Sequence, residues 1–402
     1  MGQQGTSTRT LEVNPQVFSK IKKLGAFDVS ACFNCGNCTV SCPLSVSGNE
    51  FPRKHIRYAL LGLNDKLLAQ PEPWLCYYCG DCSDTCPSKA DPGAFMAAAR
   101  RHAIVEYSIF KIGRVFYSPL TAIFAYLVLT IFAIWGIWFF TPEGGWNLDE
   151  WDVFSVVTYN VIHIAGLVLA GFIFTIAFIH ALTMLYHLSK GNQISSEIPL
   201  YQKLVAMIKS VLKVGISEGI AEYRFTKCNS KSRYIAHMNI FWGYVLTFAA
   251  TSIIAVPDMF TTTILGWSHH KFDDELYSIV KPIAKVLGVV GGILLMLGCA
   301  FYILGRLINK ETYFQTTLFS DWIFLLITFG IGLSGFLIDI FEFFDMLELA
   351  YWMYSVHLIL IFHLIITAAF TKFAHMEYRL IAVWYAEYQN LLGLSVSYKR
   401  KS

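Results

Sequence analysis

Six apolar stretches constrain this chain most. They lie near residues 115–140, 153–186, 234–256, 280–308, 318–344 and 349–374. A helix needs about 20 apolar residues to cross a bilayer, and each stretch exceeds that. The second and fourth are long enough to tilt or to project beyond the lipid. Of the 402 residues, 55% are hydrophobic and 15% charged, with the charge gathered at the two ends and in loops. The mean hydropathy is +0.50, and a soluble protein of this size is far less apolar. The net charge of +3 gives no sign of a nucleic-acid partner.

Charge in the connecting segments sets an orientation. The first loop holds Glu143, Asp149, Glu150 and Asp152 without Lys or Arg, and the loop after the fifth stretch holds Asp345 and Glu348. The segment after the second stretch is basic, with Lys190, Lys203, Lys209, Lys213, Arg224, Lys227, Lys231 and Arg233. The tail carries Arg379, Lys399, Arg400 and Lys401. Positive segments stay inside. Six spans then put both ends and the basic segment in the cytoplasm, with the chain in the cell inner (cytoplasmic) membrane. Residues 200–214 mix Lys203, Lys209 and Lys213 with Leu, Val, Met and Ile, and are expected to lie along the inner membrane surface.

Ahead of the spans, Cys32, Cys35, Cys38 and Cys42-Pro43 form C-x2-C-x2-C-x3-C-P. Cys76, Cys79, Cys82 and Cys86-Pro87 repeat it. This spacing brings three thiolates to three corners of one [4Fe–4S] cubane. In two-cluster ferredoxins the fourth cysteine ligates the other cluster. The expected sets are therefore Cys32, Cys35, Cys38 and Cys86 for one cluster, and Cys76, Cys79, Cys82 and Cys42 for the second. Structural zinc also uses C-x2-C pairs, but it does not call for four cysteines and a proline twice over. The polar start, Met1 to Lys20, has no apolar core of a signal peptide, so the cysteines are expected in the reducing cytoplasm. Cys299 reads as packing in an apolar helix and Cys228 as a plain thiol. Between the runs, Ile56, Leu60, Leu63 and Leu67 recur at helical steps. Residues 90–107, with Ala97, Ala98 and Ala99 in a row, are also helix-prone.

Histidine inside a span is costly and usually functional. His163, His180 and His187 fall in or just beyond the second stretch, His237 early in the third, and His357, His363 and His375 in the sixth. Paired imidazoles from neighbouring helices are one way to hold b-type haem. His357 and His375 are 18 residues apart, five whole helical turns, so a continuous helix puts both on one face about 27 Å apart. His363 lies off that face and reads as a packing or hydrogen-bonding residue. His187 reaches the aqueous edge, and the loop residues His269 and His270 are solvated. Lys281 and Lys285 in the fourth stretch, with Asp339 and Glu342 in the fifth, are polar groups near outer span ends that suit a quinone site.

Several families resemble parts of this pattern. The cysteine domain resembles the α-helical ferredoxins, such as the C-terminal half of succinate dehydrogenase iron–sulfur subunits and the small iron–sulfur subunit of heterodisulfide reductase. The sixth stretch, with His357 and His375, resembles the last helix of the nitrate reductase gamma subunit, a family with two b haems. The resemblance implies ligand roles for both. The run from His237 to Thr247 resembles the family's other ligand helix, with His237 as its first histidine. Its second, ten positions on, is Thr247 here. Depth then offers His163, level with His357, so the expected pairs are His163 with His357 and His237 with His375. His180 is the rival at the inner site. A lysine at the outer end of the corresponding helix lines that family's quinol pocket, and Lys285 is the nearer analogue.

The order of parts, cluster domain then six spans, resembles a fusion of the iron–sulfur and cytochrome b subunits of heterodisulfide reductase. Over nearly the whole length it resembles the C subunits of the quinone-interacting membrane-bound oxidoreductases. That implies an all-α protein: a cytoplasmic α-helical ferredoxin domain (1–110), a cytochrome b-like six-span bundle (111–378, including the amphipathic segment 190–232) and a cytoplasmic tail (379–402). It implies two [4Fe–4S] clusters, haem b (two), and menaquinone. The implied partners are two heterodisulfide-reductase-A-like flavoprotein subunits (QmoA and QmoB type) and adenylylsulfate reductase. With no flavin or nucleotide fingerprint in the sequence, flavin falls to those partners. Two alternatives stay open: the same role in a heterodisulfide-reductase or DsrMK-like complex, and an iron–sulfur anchor without haem.

Overall fold

The computed structural model describes residues 12–45, 49–191, 198–220, 222, 230–263, 276–308 and 311–394. Cys228, His269, His270 and the basic residues from Lys399 on lie outside them. Every regular element among the described residues is a helix, so the expected all-α class holds. The chain divides into two compact units. One comprises residues up to Lys111, the stretch that starts at Phe178 and stops before Ser230, and everything from Ala374. The other comprises Ile112–Ala177 and Ser230–Phe373.

The first unit starts with α1 (Gln16–Lys23), α2 (Asn37–Ser41), α3 (Arg53–Leu60), α4 (Asn64–Leu68), α5 (Glu72–Leu75), α6 (Asp81–Asp84) and α7 (Pro92–Tyr107). Helix α7 is central because it is narrow: Ala94, Ala98 and Ala99 let Phe95 and Met96 meet Val17, Ile21, Phe51 and Ile56 in one core. Its start is fixed by Asp91, whose side chain accepts from the Ala94 N–H (3.0 Å), and by Pro92 in the first turn.

The helical pattern between the cysteine runs is not one helix. Gly62 (φ +66°) breaks it, and the Asn14 N–H donates to the Gly62 carbonyl at 2.8 Å. A Cβ on Gly62 would lie 2.5 Å from the Asn14 carbonyl oxygen. Ile56 and Leu67 are buried as expected, but Leu60 is 43% exposed.

Helix α8 (Gly113–Tyr117) leads into the second unit. The remaining helices are α9 (Pro119–Phe140), α10 (Tyr159–Gly191), α11 (Leu200–Ser217), α12 (Lys231–Thr263), α13 (Leu276–Ile308), α14 (Thr312–Gln315), α15 (Phe319–Phe343), α16 (Leu347–Thr367) and α17 (Ala374–Leu391). Among the described residues, six segments are long and apolar enough to cross a membrane: Pro119–Phe140, Tyr159–Gly191, Lys231–Pro257, Ser278–Ile308, Phe319–Phe343 and Leu347–Leu391. These match the six expected stretches.

Glycine lets α12 and α13 approach. A Cβ on Gly243 would stand 2.7 Å from Leu295, and one on Gly298 would stand 2.7 Å from the Ala236 carbonyl. A Cβ on Gly291 would stand 2.8 Å from the Thr247 methyl. Without an apolar driving force in lipid, such close backbone contact is what holds helices together. Tyr244 adds a hydroxyl contact to Thr328 of α15 (2.6 Å).

The sixth span departs from expectation. Helix α16 stops at Thr367, a 3-10 turn follows over Ala368–Phe370, and Thr371 is extended before α17 begins. The break sits beside a buried demand for positive charge: Asp321 is 2% exposed, and the Lys372 ammonium reaches its Oδ1 at 2.6 Å. The common face expected for His357 and His375, five turns along one continuous helix, is therefore lost. The segment expected as a tail from 379 is helical to Leu391. It packs Val383 and Ala386 against Leu75 and against Val214 of α11. Helix α11 matches the expected amphipathic segment, with Ala206, Ser210 and Val214 buried and Leu204, Ile208, Val211 and Leu212 exposed. Lys213 pairs with Glu387 of α17.

Gly291→Leu should destabilise the protein by about 1–3 kcal/mol through overpacking, read as a lower unfolding temperature in detergent. Gly136→Leu, where nothing lies within 4 Å of the added Cβ, should leave that temperature unchanged.

Candidate functional site

The two cysteine runs share one backbone path. Asn34 (φ 64°) and Tyr78 (φ 55°) are left-handed just before the second cysteine of each run. Gly36 (φ 96°) and Gly80 (φ 99°) follow it, and a short helix then carries Cys38 or Cys82. The double reversal folds three thiols inward. Glycine is the residue that tolerates the second reversal. Arg53 fixes the first turn, donating from Nε to Asn34 Oδ1 at 2.8 Å.

The fourth cysteines cross over. Cys32, Cys35, Cys38 and Cys86 line one cavity, together with Gly36 and Arg53. Burial pushes the Cys38 thiol up to about 11, and Cys32, Cys35 and Cys86 are the thiols whose charge adds to the rise. Burial likewise raises Cys42 to about 12, with Cys76 and Cys79 beside it. Cys82 is raised by burial and then by Cys76, Cys42 and Cys79. The neighbourhoods are thus the two expected sets.

Buried like-charged thiols do not ionise alone; they need bound metal to supply positive charge. Among the described residues, no three His, Cys, Asp or Glu side chains converge on a single ion. Backbone N–H groups also point at sulfur, Tyr78 to Cys76 and Ala90 to Cys86, each at 3.4 Å. The residues fit two [4Fe–4S] clusters.

Two arginines that carry no motif, and were not expected from the sequence, hold the loop before Cys76. Arg100 of α7 is half-buried and donates to the Pro73 and Cys76 carbonyls at 2.8 and 3.1 Å. Burial pulls its pKa down, and the neighbouring Cys76 thiol opposes that. Arg379 donates to the Trp74 carbonyl (2.9 Å) and lies over the Tyr77 ring. The signal available in sequence was Arg100 itself, four residues after Met96 on a helix with almost no exposed face. Nearby, buried Glu72 accepts from Asn49 (2.9 Å) and lies 3.5 Å from His55 Nε2. Burial alone would raise Glu72, but the hydrogen bond and charge of His55 outweigh it and hold the carboxyl below its usual range.

The histidines sort by which nitrogen is used. His163 donates from Nδ1 to the Tyr159 carbonyl (2.9 Å). His357 donates from Nδ1 to Ser334 Oγ (2.8 Å), which itself donates to the Ile331 carbonyl. In a neutral His357 ring this leaves the lone pair on Nε2, the usual arrangement of a metal-bound imidazole. His363 differs: Nδ1 donates to the Ile359 carbonyl (2.6 Å) and Nε2 meets the Thr130 hydroxyl (3.1 Å), the hydrogen-bonding part expected of it. His180 accepts the Ile109 N–H on Nε2 (3.0 Å), so that lone pair is already used. His187 packs on the Tyr107 ring. His375 stacks on buried Trp74, with centroids 5.7 Å apart and planes 29° apart. His237 is half-buried in α12. His163, His237 and His357 belong to the second unit, His180 and His375 to the first.

Thr247, where the resembled family has its second histidine, faces the glycine gap at Gly291 and donates to the Gly243 carbonyl at 2.9 Å. A larger ring has no room there. Of the residues expected to suit a quinone site, Lys285 lies 3.4 Å from Asp339 and 3.9 Å from Glu342, across α13 and α15.

Residues 28–90 match the family model described as a 4Fe-4S dicluster domain. The chain is 37% identical over 99 residues to a protein of Archaeoglobus profundus that is like the C subunit of heterodisulfide reductase, covering 24% of this chain and 53% of that protein. It is 38% identical over 66 residues to the C subunit of the H(2):CoB-CoM heterodisulfide,ferredoxin reductase of Methanothermobacter thermautotrophicus, covering 16% and 34%. The chain thus spans about half of the first relative and a third of the second. No solved structure matches it. These findings define an iron–sulfur protein of the electron-transfer kind, joined to helices suited to a multi-pass membrane protein.

Cys86→Ser should perturb the cluster of Cys32, Cys35 and Cys38, and Cys42→Ser that of Cys76, Cys79 and Cys82. Paramagnetic resonance of each reduced variant checks this crossing; loss of the signal from the variant's own run would contradict it.

Proposed function

We propose that this protein is the membrane electron-transfer subunit of a quinone-linked oxidoreductase in a respiratory complex of sulfur metabolism. It relays electrons between menaquinone and cytoplasmic flavoproteins of the heterodisulfide-reductase-A type (QmoA and QmoB type), and through them adenylylsulfate reductase. The observation that carries this reading is the Trp74–His375 stack. It sets an imidazole from the sixth apolar segment against a ring two residues before Cys76, a cluster ligand. Such contact joins a membrane histidine to the iron–sulfur loop.

His163, His237, His357 and His375 are the ligands of two haems b. The Nδ1 hydrogen bond of His357 supports this for that residue. Bound clusters and haem supply one-electron chemistry; the chain supplies their ligands and the quinone site. Menaquinol oxidation releases two electrons and two protons. Lys285 orients a ring oxygen by donating to it, and Asp339 and Glu342 take up the protons. The reverse direction uses the same groups. Positive charge on the segment after α10 supports a cytoplasmic cluster domain in the inner membrane. Likeness to the C subunits of heterodisulfide reductases favours a second reading, the same role in a heterodisulfide-reductase or DsrMK-like assembly. The proteins that co-purify separate the two.

A dithionite-reduced minus oxidised spectrum with pyridine haemochrome on the purified chain should give two haems b. His357→Ala should then remove one. Cluster iron without any haem would leave only the passive-anchor reading. Asp339→Asn should slow menaquinol-driven reduction by roughly 10²–10⁴-fold, the range for a lost proton-transfer group, with haem content unchanged. A turnover assay with a menaquinol analogue measures this.

A further inference from the structure

The first cysteine set has a cation laid across its turn. Arg53, the first residue of α3, lines the same cavity as Cys32, Cys35, Cys38 and Cys86. Its Nε donates to Asn34 Oδ1 at 2.8 Å. A Cβ on Gly36 would stand 3.6 Å from its Nη1 and 3.9 Å from its Cδ, so the side chain lies against the turn between Cys35 and Cys38. Glu50 approaches Nη1 at 3.6 Å, but that carboxylate is 57% exposed. A pair so open to water offsets little of the charge. The second run is built differently. Tyr78 and Asp81 stand where the first run has Asn34 and Asn37. Burial pushes the Cys79 thiol up to about 11, and the Asp81 charge adds to the rise. The guanidinium on that side, Arg100, donates to the Pro73 and Cys76 carbonyls.

We propose that Arg53 sets the reduction potential of the cluster held by Cys32, Cys35, Cys38 and Cys86. Its guanidinium keeps that cluster easier to reduce than a neutral side chain would. Taking up one electron adds one negative charge inside a ring of four thiolates. A fixed cation beside the ring stabilises the more negative, reduced form more than the oxidised one. Arginine serves this purpose because it stays charged at every working pH. Bracing the turn does not call for charge: any neutral donor can meet Asn34, and asparagine itself tolerates the left-handed backbone there. The assignment rests on the two-cluster reading of the cysteine runs and adds to it a residue that tunes one cluster alone.

The test is a potentiometric titration of the full-length protein in nanodiscs, followed by paramagnetic resonance. Cys86→Ser and Cys42→Ser assign the two cluster signals. Arg53→Gln keeps a donor for Asn34 and drops the charge. It should make the first cluster about tenfold harder to reduce, a potential about 59 mV lower for one electron, and leave the second unmoved. Arg53→Lys keeps the charge and should restore most of the difference. Asn34→Gly removes the acceptor but suits the left-handed backbone, and should shift the potential far less than Arg53→Gln. An unchanged potential in Arg53→Gln overturns the assignment, as do equal shifts in Arg53→Gln and Arg53→Lys. Loss of the first cluster from Arg53→Gln also overturns it, since Arg53 would then hold the loop rather than tune the cluster. Absence of both cluster signals from the unaltered protein overturns the iron–sulfur reading itself.

Discussion

Eight thiols folded into so small a helical domain set the terms for everything around them. Burial raises Cys38, Cys42, Cys79 and Cys82, so the cysteines carry charge only when metal balances it. Crossing the fourth cysteines makes each site depend on both runs. Cys42 and Cys86 each belong to a set assembled from the other run, so the chain between the runs must fold before either set is complete. That intervening chain supplies Phe51, Ile56 and Leu67 to the core and Arg53 to the first turn. Metal binding and folding are therefore linked in this domain.

Much of this was legible from spacing alone. The cysteine sets follow from a repeated motif, and the spans follow from length and hydropathy, both of which are local properties. Lys285, Asp339 and Glu342 were legible as charged groups in apolar stretches; their pairing across α13 and α15 was not. What was not legible depends on tertiary contact. Gly62 breaks a pattern that looks like one helix, because the Asn14 backbone needs the space. The break after Thr367 accompanies a buried Asp321 whose charge Lys372 neutralises. Neither partner is near in sequence, so periodicity cannot report them. The five-turn face shared by His357 and His375 was lost for that reason.

Hydrogen bonding sorts the span histidines where sequence depth could only rank them. In His180 and His363, Nε2 already meets a protein group. His357 uses Nδ1 instead. The distinction needs coordinates, since it turns on Ser334, Thr130 and the Ile109 N–H, none of which carries a motif.

The two cysteine sets are chemically unequal, and the inequality bears on the direction in which a wire of this kind runs. Around the first set, Cys35 is exposed, with Phe33 at 63% and Val40 at 89% exposure beside it. Around the second, the loop is tied by Arg100 and Arg379 through the Pro73, Trp74 and Cys76 carbonyls, and Trp74 is 1% exposed against His375. A guanidinium next to thiolates favours the more reduced, more negative state of whatever they bind, whereas burial by itself disfavours added charge. The second set is thus the more tightly held by side-chain contacts. The first presents an open, apolar-rimmed face.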